Sequence, residues 1–217
     1  GLTPGFLDRK TFSISARGFV WLASAGIVAA LFYHLGGAAL FEPDEGRNAE
    51  KAREILVLQD WLTPHENFHA VLDKPIFFYW LIALAYQLFG VSEWAARLPS
   101  ALPTLGTLAL VYRFAQVSWG RWTALWSALI LLTSVEFFVL ARIVILDMTL
   151  TFFLTLALCA FFEAGHSGDP ARRRLWFAAM YVALGAATLI KGLIGVAVPG
   201  IVMFFYLLFG KQWGALK

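Results

Sequence analysis

Long apolar blocks separated by short polar breaks dominate the chain. They run from about Gly18 to Leu40, Ile76 to Gly90, Trp94 to Val117, Trp122 to Ala141, Met148 to Ala164, Leu175 to Ile190 and Leu193 to Gly210. A helix rises about 1.5 Å per residue and takes roughly 17–25 apolar residues to cross a hydrocarbon core, so six of the blocks predict transmembrane helices. Ile76 to Gly90 falls short of that length and suits a re-entrant or interfacial helix. The predicted fold class is an all-α integral membrane protein with about six transmembrane helices and an external loop of interfacial helices between the first and second spans. A single transmembrane domain then covers residues 1–217, with span 1 at 18–40, the loop at 41–93 and spans 2–6 at 94–210. The first block is too long, and too closely followed by more, to be a cleaved signal.

Charge decides how Ile76 to Gly90 is read. Hydrophobic residues make up 60% and charged residues 14% of the 217, against about a quarter charged in soluble domains. Lys and Arg are retained on the cytoplasmic side of a membrane. With Ile76 to Gly90 at the outer surface, Arg9, Lys10, Arg17, Arg113, Arg121, Arg172, Arg173, Arg174 and Lys211 all fall inside, together with both termini. Asp44, Asp73, Lys74, Asp147 and Lys191 then share the external face. If the block crossed, Arg113 and Arg121 would face outward and Asp147 would lie opposite Asp44, so the charge bias selects six spans. The net charge of +3 is scattered between apolar runs and forms no face for nucleic acid. Cys159 is the sole cysteine, which excludes an intrachain disulfide, and it reads as apolar filler. His34 reads as packing polarity within span 1, His166 as a loop residue, and Gly185, Gly192 and Gly195 as points of close helix approach.

The longest polar interval, Phe41 to Pro75, holds the candidate chemistry. Asp44 is suited to N-cap a helix reaching about Leu58. Ala49, Ala52, Ile55 and Leu56 give that helix an apolar face, while Arg47, Glu50, Lys51, Arg53 and Glu54 can pair at three- and four-residue spacing. One reading is a solvated amphipathic connector; the other is half of a site. Asp147 favours the site, because it closes the run Arg142 to Leu146 with no cation in the next turn and needs a partner from elsewhere. Lys74 and Lys191 stand at the edges of apolar helices on the same face. Such a set suits an anionic lipid-linked substrate, with lysine a point charge for phosphate and a carboxylate the base for an incoming hydroxyl. His65-Glu66-Asn67-Phe68-His69 also matches H-E-x-x-H, but zinc binding by that motif needs a helix, and the five residues follow Pro64 in a loop.

Asp44-Glu45-Gly46-Arg47-Asn48-Ala49-Glu50, Ala52-Arg53-Glu54-Ile55-Leu56, Asp60-Trp61-Leu62-Thr63-Pro64, Asp73-Lys74-Pro75 with Tyr79-Trp80, Glu93-Trp94-Ala95-Ala96-Arg97-Leu98-Pro99, Asp147-Met148 and Lys191-Gly192 occur in this order. The series closely resembles the N-terminal half of the bacterial aminoarabinose-transferase and dolichyl-phosphate-mannose protein mannosyltransferase-like family, membrane glycosyltransferases of the polytopic GT-C type. The resemblance implies a bacterial inner-membrane enzyme that moves a sugar from a polyprenyl-phosphate carrier to an acceptor hydroxyl at the external face. It implies Asp44 and Asp147 as the catalytic carboxylates, Lys74 at the donor phosphate, and Lys191, Arg47, Glu45 and Tyr79 as further substrate contacts. Members usually carry Glu before the Lys-Pro, often as a metal ligand; Asp73 stands there in this chain, and a divalent metal is the one cofactor the resemblance brings. The companion histidine would lie beyond Lys217. Members are also much longer, so the expectation divides between part of an active enzyme and an inactive subunit binding lipid or a larger membrane complex.

Overall fold

The computed structural model describes residues 16–41 and 43–210. Asp8, Arg9, Lys10, Glu42 and Lys211, which flank the predicted spans or open the polar interval, lie outside the described residues. The elements are α1 (Ala16–Phe32), α2 (Asp44–Leu58), β1 (His65–Glu66), β2 (His69–Ala70), α3 (Phe77–Phe89), α4 (Glu93–Trp119), α5 (Arg121–Thr133), α6 (Val135–Leu140), α7 (Leu146–His166), α8 (Pro170–Lys191) and α9 (Ile194–Gly210). The protein is therefore mostly helical. Two described helices, α7 and α8, are long and apolar enough to cross a membrane by length and composition, while α3 and α9 are shorter apolar helices.

Helix boundaries follow local chemistry. Ser92 accepts the Ala95 amide and Asp169 the Ala171 amide, capping α4 and α8, and Pro170 occupies the first turn of α8, where its missing N–H costs nothing. Gly192, at φ 65°, ends α8 in a conformation other residues rarely adopt. A Cβ on Gly195 would collide with the Ala187 backbone, so this glycine sets the close packing of α9 on α8. Gly185 and Gly192 have open space around them, so of the three glycines only Gly195 marks a close approach.

Three predicted elements differ. Span 1 was expected to reach Leu40, but α1 stops at Phe32 and the chain turns from Tyr33. Two arginines cause this, Arg97 of α4 and Arg142 in the turn after α6. Arg142 donates to the carbonyls of Ala30, Leu31 and Tyr33, and Arg97 to those of Leu35, Ala38 and Ala39, replacing the bonds a longer helix would have made. His34 is consequently an exposed turn residue at φ 55°, not a polar group within a span. Pro43, not Asp44, is the residue before α2, and no side chain caps it; Asp44 is the first helical residue. Lastly, the block Trp122 to Ala141 is broken at Ser134 into α5 and α6.

α4 packs against α5 and α7, α7 against α8, and α8 against α9, while α3 bridges α2 to α4 and α8. One buried cluster joins α2 (Ala49, Ala52, Ile55), α3 (Phe78, Tyr79, Ile82), the start of α4 (Ala95, Ala96, Leu98), the entry to α7 (Val144, Leu146) and the end of α8 (Ala187, Ile190). That cluster draws the ends of five helices to one pole, where the polar interval lies.

Candidate functional site at one pole of the helix bundle

Glu45 and Arg97 fasten the pole. Their side chains are 4% and 6% exposed, and the Arg97 Nε donates to Glu45 Oε1 at 3.0 Å. Glu45 also accepts the amides of Phe41 (2.8 Å) and Val144 (2.8 Å). Burial alone would raise the Glu45 carboxyl, but the Arg97 guanidinium and these two amides hold it below the ordinary glutamate value. Asn48, one turn on, donates to the Val144 carbonyl at 2.9 Å, and Ser100 of α4 bonds Ile145. The extended entry to α7 is thus pinned by α2 and α4. Asp44 lies one residue before Glu45 and Asp147 three residues after Val144, so these bonds tie the N-terminal turns of α2 and α7 to the same pole.

A second network fixes the segment before α3. Lys51, 2% exposed, donates to Asp73 Oδ1 and Oδ2 at 3.0 and 3.1 Å, stands 3.4 Å from Glu66 Oε2, and sits 5.5 Å over the Tyr79 ring. Arg47 donates to both Glu66 oxygens, at 2.7 and 3.2 Å. The Arg47 hydrogen bond, assisted by Lys51, holds the Glu66 carboxyl below its usual value. Burial would raise Asp73, yet the bonds from Lys51 and the charge of Lys74 lower it. Tyr79 is fully buried and its hydroxyl has no partner among the described residues. Burial, with the Asp73 and Glu66 charges nearby, pushes that phenol up, so it stays protonated and able to donate.

Glu66 reaches this network because the H-E-x-x-H segment folds as a β-hairpin, not a helix. β1 and β2 pair antiparallel, His65 with Ala70 and Glu66 with His69, through Asn67 and Phe68 at φ 54° and 63°. The buried Glu54 of α2 accepts the Phe68 amide through both oxygens at 3.1 Å and pins the turn. The zinc-protease geometry is absent from this segment.

The exposed groups divide by partner. Asp147 pairs with Lys191 at 2.5 Å, the two side chains being 34% and 40% exposed. Asp44 and Lys74 are exposed, and neither makes a hydrogen bond or ion pair among the described residues. Arg47 borders a cleft of 540 Å³ that Glu50, Arg53, Glu66 and Tyr86 also line. Both Asp73 oxygens accept from Lys51, and no group of three or more potential metal ligands stands together among the described residues.

Of the residues singled out in the sequence, Asp44, Arg47, Asp147 and Lys191 lie at helix ends, Asp73 and Lys74 in the segment before α3 and Tyr79 in the first turn of α3, while Glu45 is buried as the fold's fastening. Lys51, Glu54, Glu66 and Arg97 were named only within motifs or helix pairings, not as site residues. Arg97 could have been, since an arginine beside Pro99 at the start of an apolar block demands a buried partner.

The same fold occurs in solved structures. The crystal structure of ArnT from Cupriavidus metallidurans bound to undecaprenyl phosphate superposes with a TM-score of 0.86 at 36% identity, covering 92% of this chain and 37% of that one. The apo ArnT structure gives 0.85 at 37% identity with the same coverage. The chain therefore shares the fold of part of ArnT. A family model described as dolichyl-phosphate-mannose-protein mannosyltransferase matches residues 73–217, and the chain belongs to that family. An uncharacterized protein of Aquifex aeolicus is 35% identical over 192 residues, covering 88% of this chain and 38% of its own length. The undecaprenyl phosphate-alpha-4-amino-4-deoxy-L-arabinose arabinosyl transferase 2 of Sodalis glossinidius is 31% identical over 189 residues, with 86% and 34% covered. The chain thus spans a little over a third of the length of these relatives.

Proposed function

We propose that this chain carries the donor and base half of an inverting transferase in a bacterial inner membrane. Six spans would put both termini in the cytoplasm, with α2, the hairpin and α3 lying along the external face. The donor is a sugar on a polyprenyl phosphate, the class of lipid named in the ArnT complex. Its phosphate meets Lys74, whose ammonium is unpaired among the described residues, with Arg47 at the neighbouring cleft and the Tyr79 hydroxyl as a further donor. Asp44, likewise unpaired, takes the proton of the acceptor hydroxyl. The acceptor oxygen attacks the anomeric carbon as the carbon–oxygen bond to phosphate breaks; the electron pair leaves on the phosphate, which needs no acid. Asp147, engaged by Lys191, holds that lysine toward the reacting groups. Glu45 acts through position alone, keeping Asp44 and Asp147 at one pole.

The observation that carries this reading is the division of labour at that pole, an unpaired carboxylate and an unpaired ammonium beside a saturated structural network. Titration of the purified protein with undecaprenyl phosphate tests it. Lys74→Ala should weaken binding roughly tenfold, the loss of one charge-assisted contact of about 1.5 kcal/mol, while Lys74→Arg retains most of it. Equal binding by parent and Lys74→Ala would refute the phosphate role.

A further inference from the structure

A second polar cleft lies at the opposite end of the bundle. α7 begins beside Asp147 and ends at His166, about 30 Å away at 1.5 Å per residue, which matches the thickness of a hydrocarbon core. There Arg113, Glu163, His166, Asp169, Arg172 and Trp176 line a cleft of 490 Å³. Its ion pairs are loose. Arg113 stands 3.6 Å from Glu163 and Arg172 3.7 Å from Asp169, both beyond hydrogen-bond length, and the arginine side chains are 59% and 80% exposed. Arg173 and Arg174 follow in the first turns of α8 and add positive charge to this end of the bundle. The Arg113 guanidinium lies 6.0 Å from the Trp176 ring and that of Arg173 5.6 Å from Phe177, which orients planar donors over aromatic walls.

An apolar cavity of 460 Å³ adjoins this cleft, lined by Phe114, Trp119, Cys159, Phe162, Met203 and Tyr206 among others. The two share a wall: His166 of the charged cleft stacks on Phe162 of the apolar cavity with ring centroids 4.1 Å apart. A cleft presenting two exposed guanidiniums, joined to an apolar cavity one bilayer thickness from the candidate transfer site, has the two chemistries of a phospholipid. Basic pockets between helices at the inner membrane surface take anionic headgroups, and arginine forks match phosphate oxygens.

We propose that this end of the bundle binds an anionic glycerophospholipid of the leaflet opposite the transfer site, its phosphodiester on Arg113 and Arg172 and an acyl chain in the Phe114–Phe162 cavity. The proposal rests on the membrane-spanning reading but is independent of the transfer chemistry.

Native mass spectrometry of the purified protein, titrated with phosphatidylglycerol or phosphatidylcholine, tests it. Phosphatidylglycerol should bind roughly tenfold more tightly. Arg113→Gln with Arg172→Gln should abolish that preference with helix content unchanged, and Arg113→Lys with Arg172→Lys should restore part of it. Lys74→Ala should leave it intact, which separates failure here from failure of the transfer reading. A preference that survives the Gln pair overturns the proposal. So does inorganic phosphate that competes as well as phosphatidylglycerol, which would mark an anion site with no use for the acyl chain.

Discussion

Asp44 and Asp147 are both carboxylates in the first turn of a helix, and what separates them is company. Lys191 neutralises Asp147, a half-open pair contributing under about 1 kcal/mol to stability, whereas Asp44 has no such partner among the described residues. Lys191→Ala should therefore lower transfer far more than it lowers the melting temperature. The orphan hydroxyl of Tyr79 makes a sharper case. A buried hydroxyl without a partner stabilises nothing, so Tyr79→Phe should keep or slightly raise Tm. If the hydroxyl serves the donor, the same change should weaken undecaprenyl phosphate binding by about 2- to 10-fold in the titration. An unchanged affinity would remove Tyr79 from the site. At this scale the sequence pointed to Asp44, Lys74, Asp147 and Lys191, because isolated charges beside apolar blocks are conspicuous. It did not pair Lys51 with Glu66, since that depends on a hairpin that brings Glu66 back over α2, and it did not show that Glu45 is buried, because burial is invisible in a motif.

Among the elements, α2 departs most from its sequence pattern. Its charges suggested a solvated face, yet Glu45, Lys51 and Glu54 are buried and each is answered by another element: α4, the segment before α3, and the hairpin. Glu45→Gln leaves Arg97 without its counter-charge and should cost about 3–5 kcal/mol, read as a large fall in Tm. Acid should act on the same elements in a defined window. Glu66 is depressed from 4.5 and Asp73 from 3.8, so the stability their pairs supply is complete above those values and lost only as pH falls through the lower folded values. The Tm difference between parent and Glu66→Gln should be constant from pH 7 to 5 and close below pH 4.5. A difference that closes between pH 7 and 5 would assign it to other groups. The bounds of α4, α7 and α9 and the end of α8 were legible from the apolar blocks, whereas α8 begins at Pro170, ahead of its block. The end of α1 was not, because Arg97 and Arg142, distant in sequence, capture its carbonyls.

For the whole molecule the central question is which pole faces which side. Apolar block lengths and charge bias led to the expectation of six spans, and two of the described helices meet the length and composition of a span. Cysteine labelling settles the rest, since Cys159 is the sole native thiol. In a Cys159→Ser background, Leu72→Cys should react with a membrane-impermeant maleimide from outside, and Gly168→Cys only after the membrane is opened. Labelling of both from one side would contradict the topology.

The most direct test of the central claim is a single-turnover transfer assay on the purified protein with its polyprenyl-phosphate sugar, comparing the parent with Asp44→Asn. The account predicts a loss of about 10²- to 10⁴-fold in rate, the range for removing a general base, with undecaprenyl phosphate bound as tightly as by the parent. Transfer by Asp44→Asn at the parent rate would contradict it.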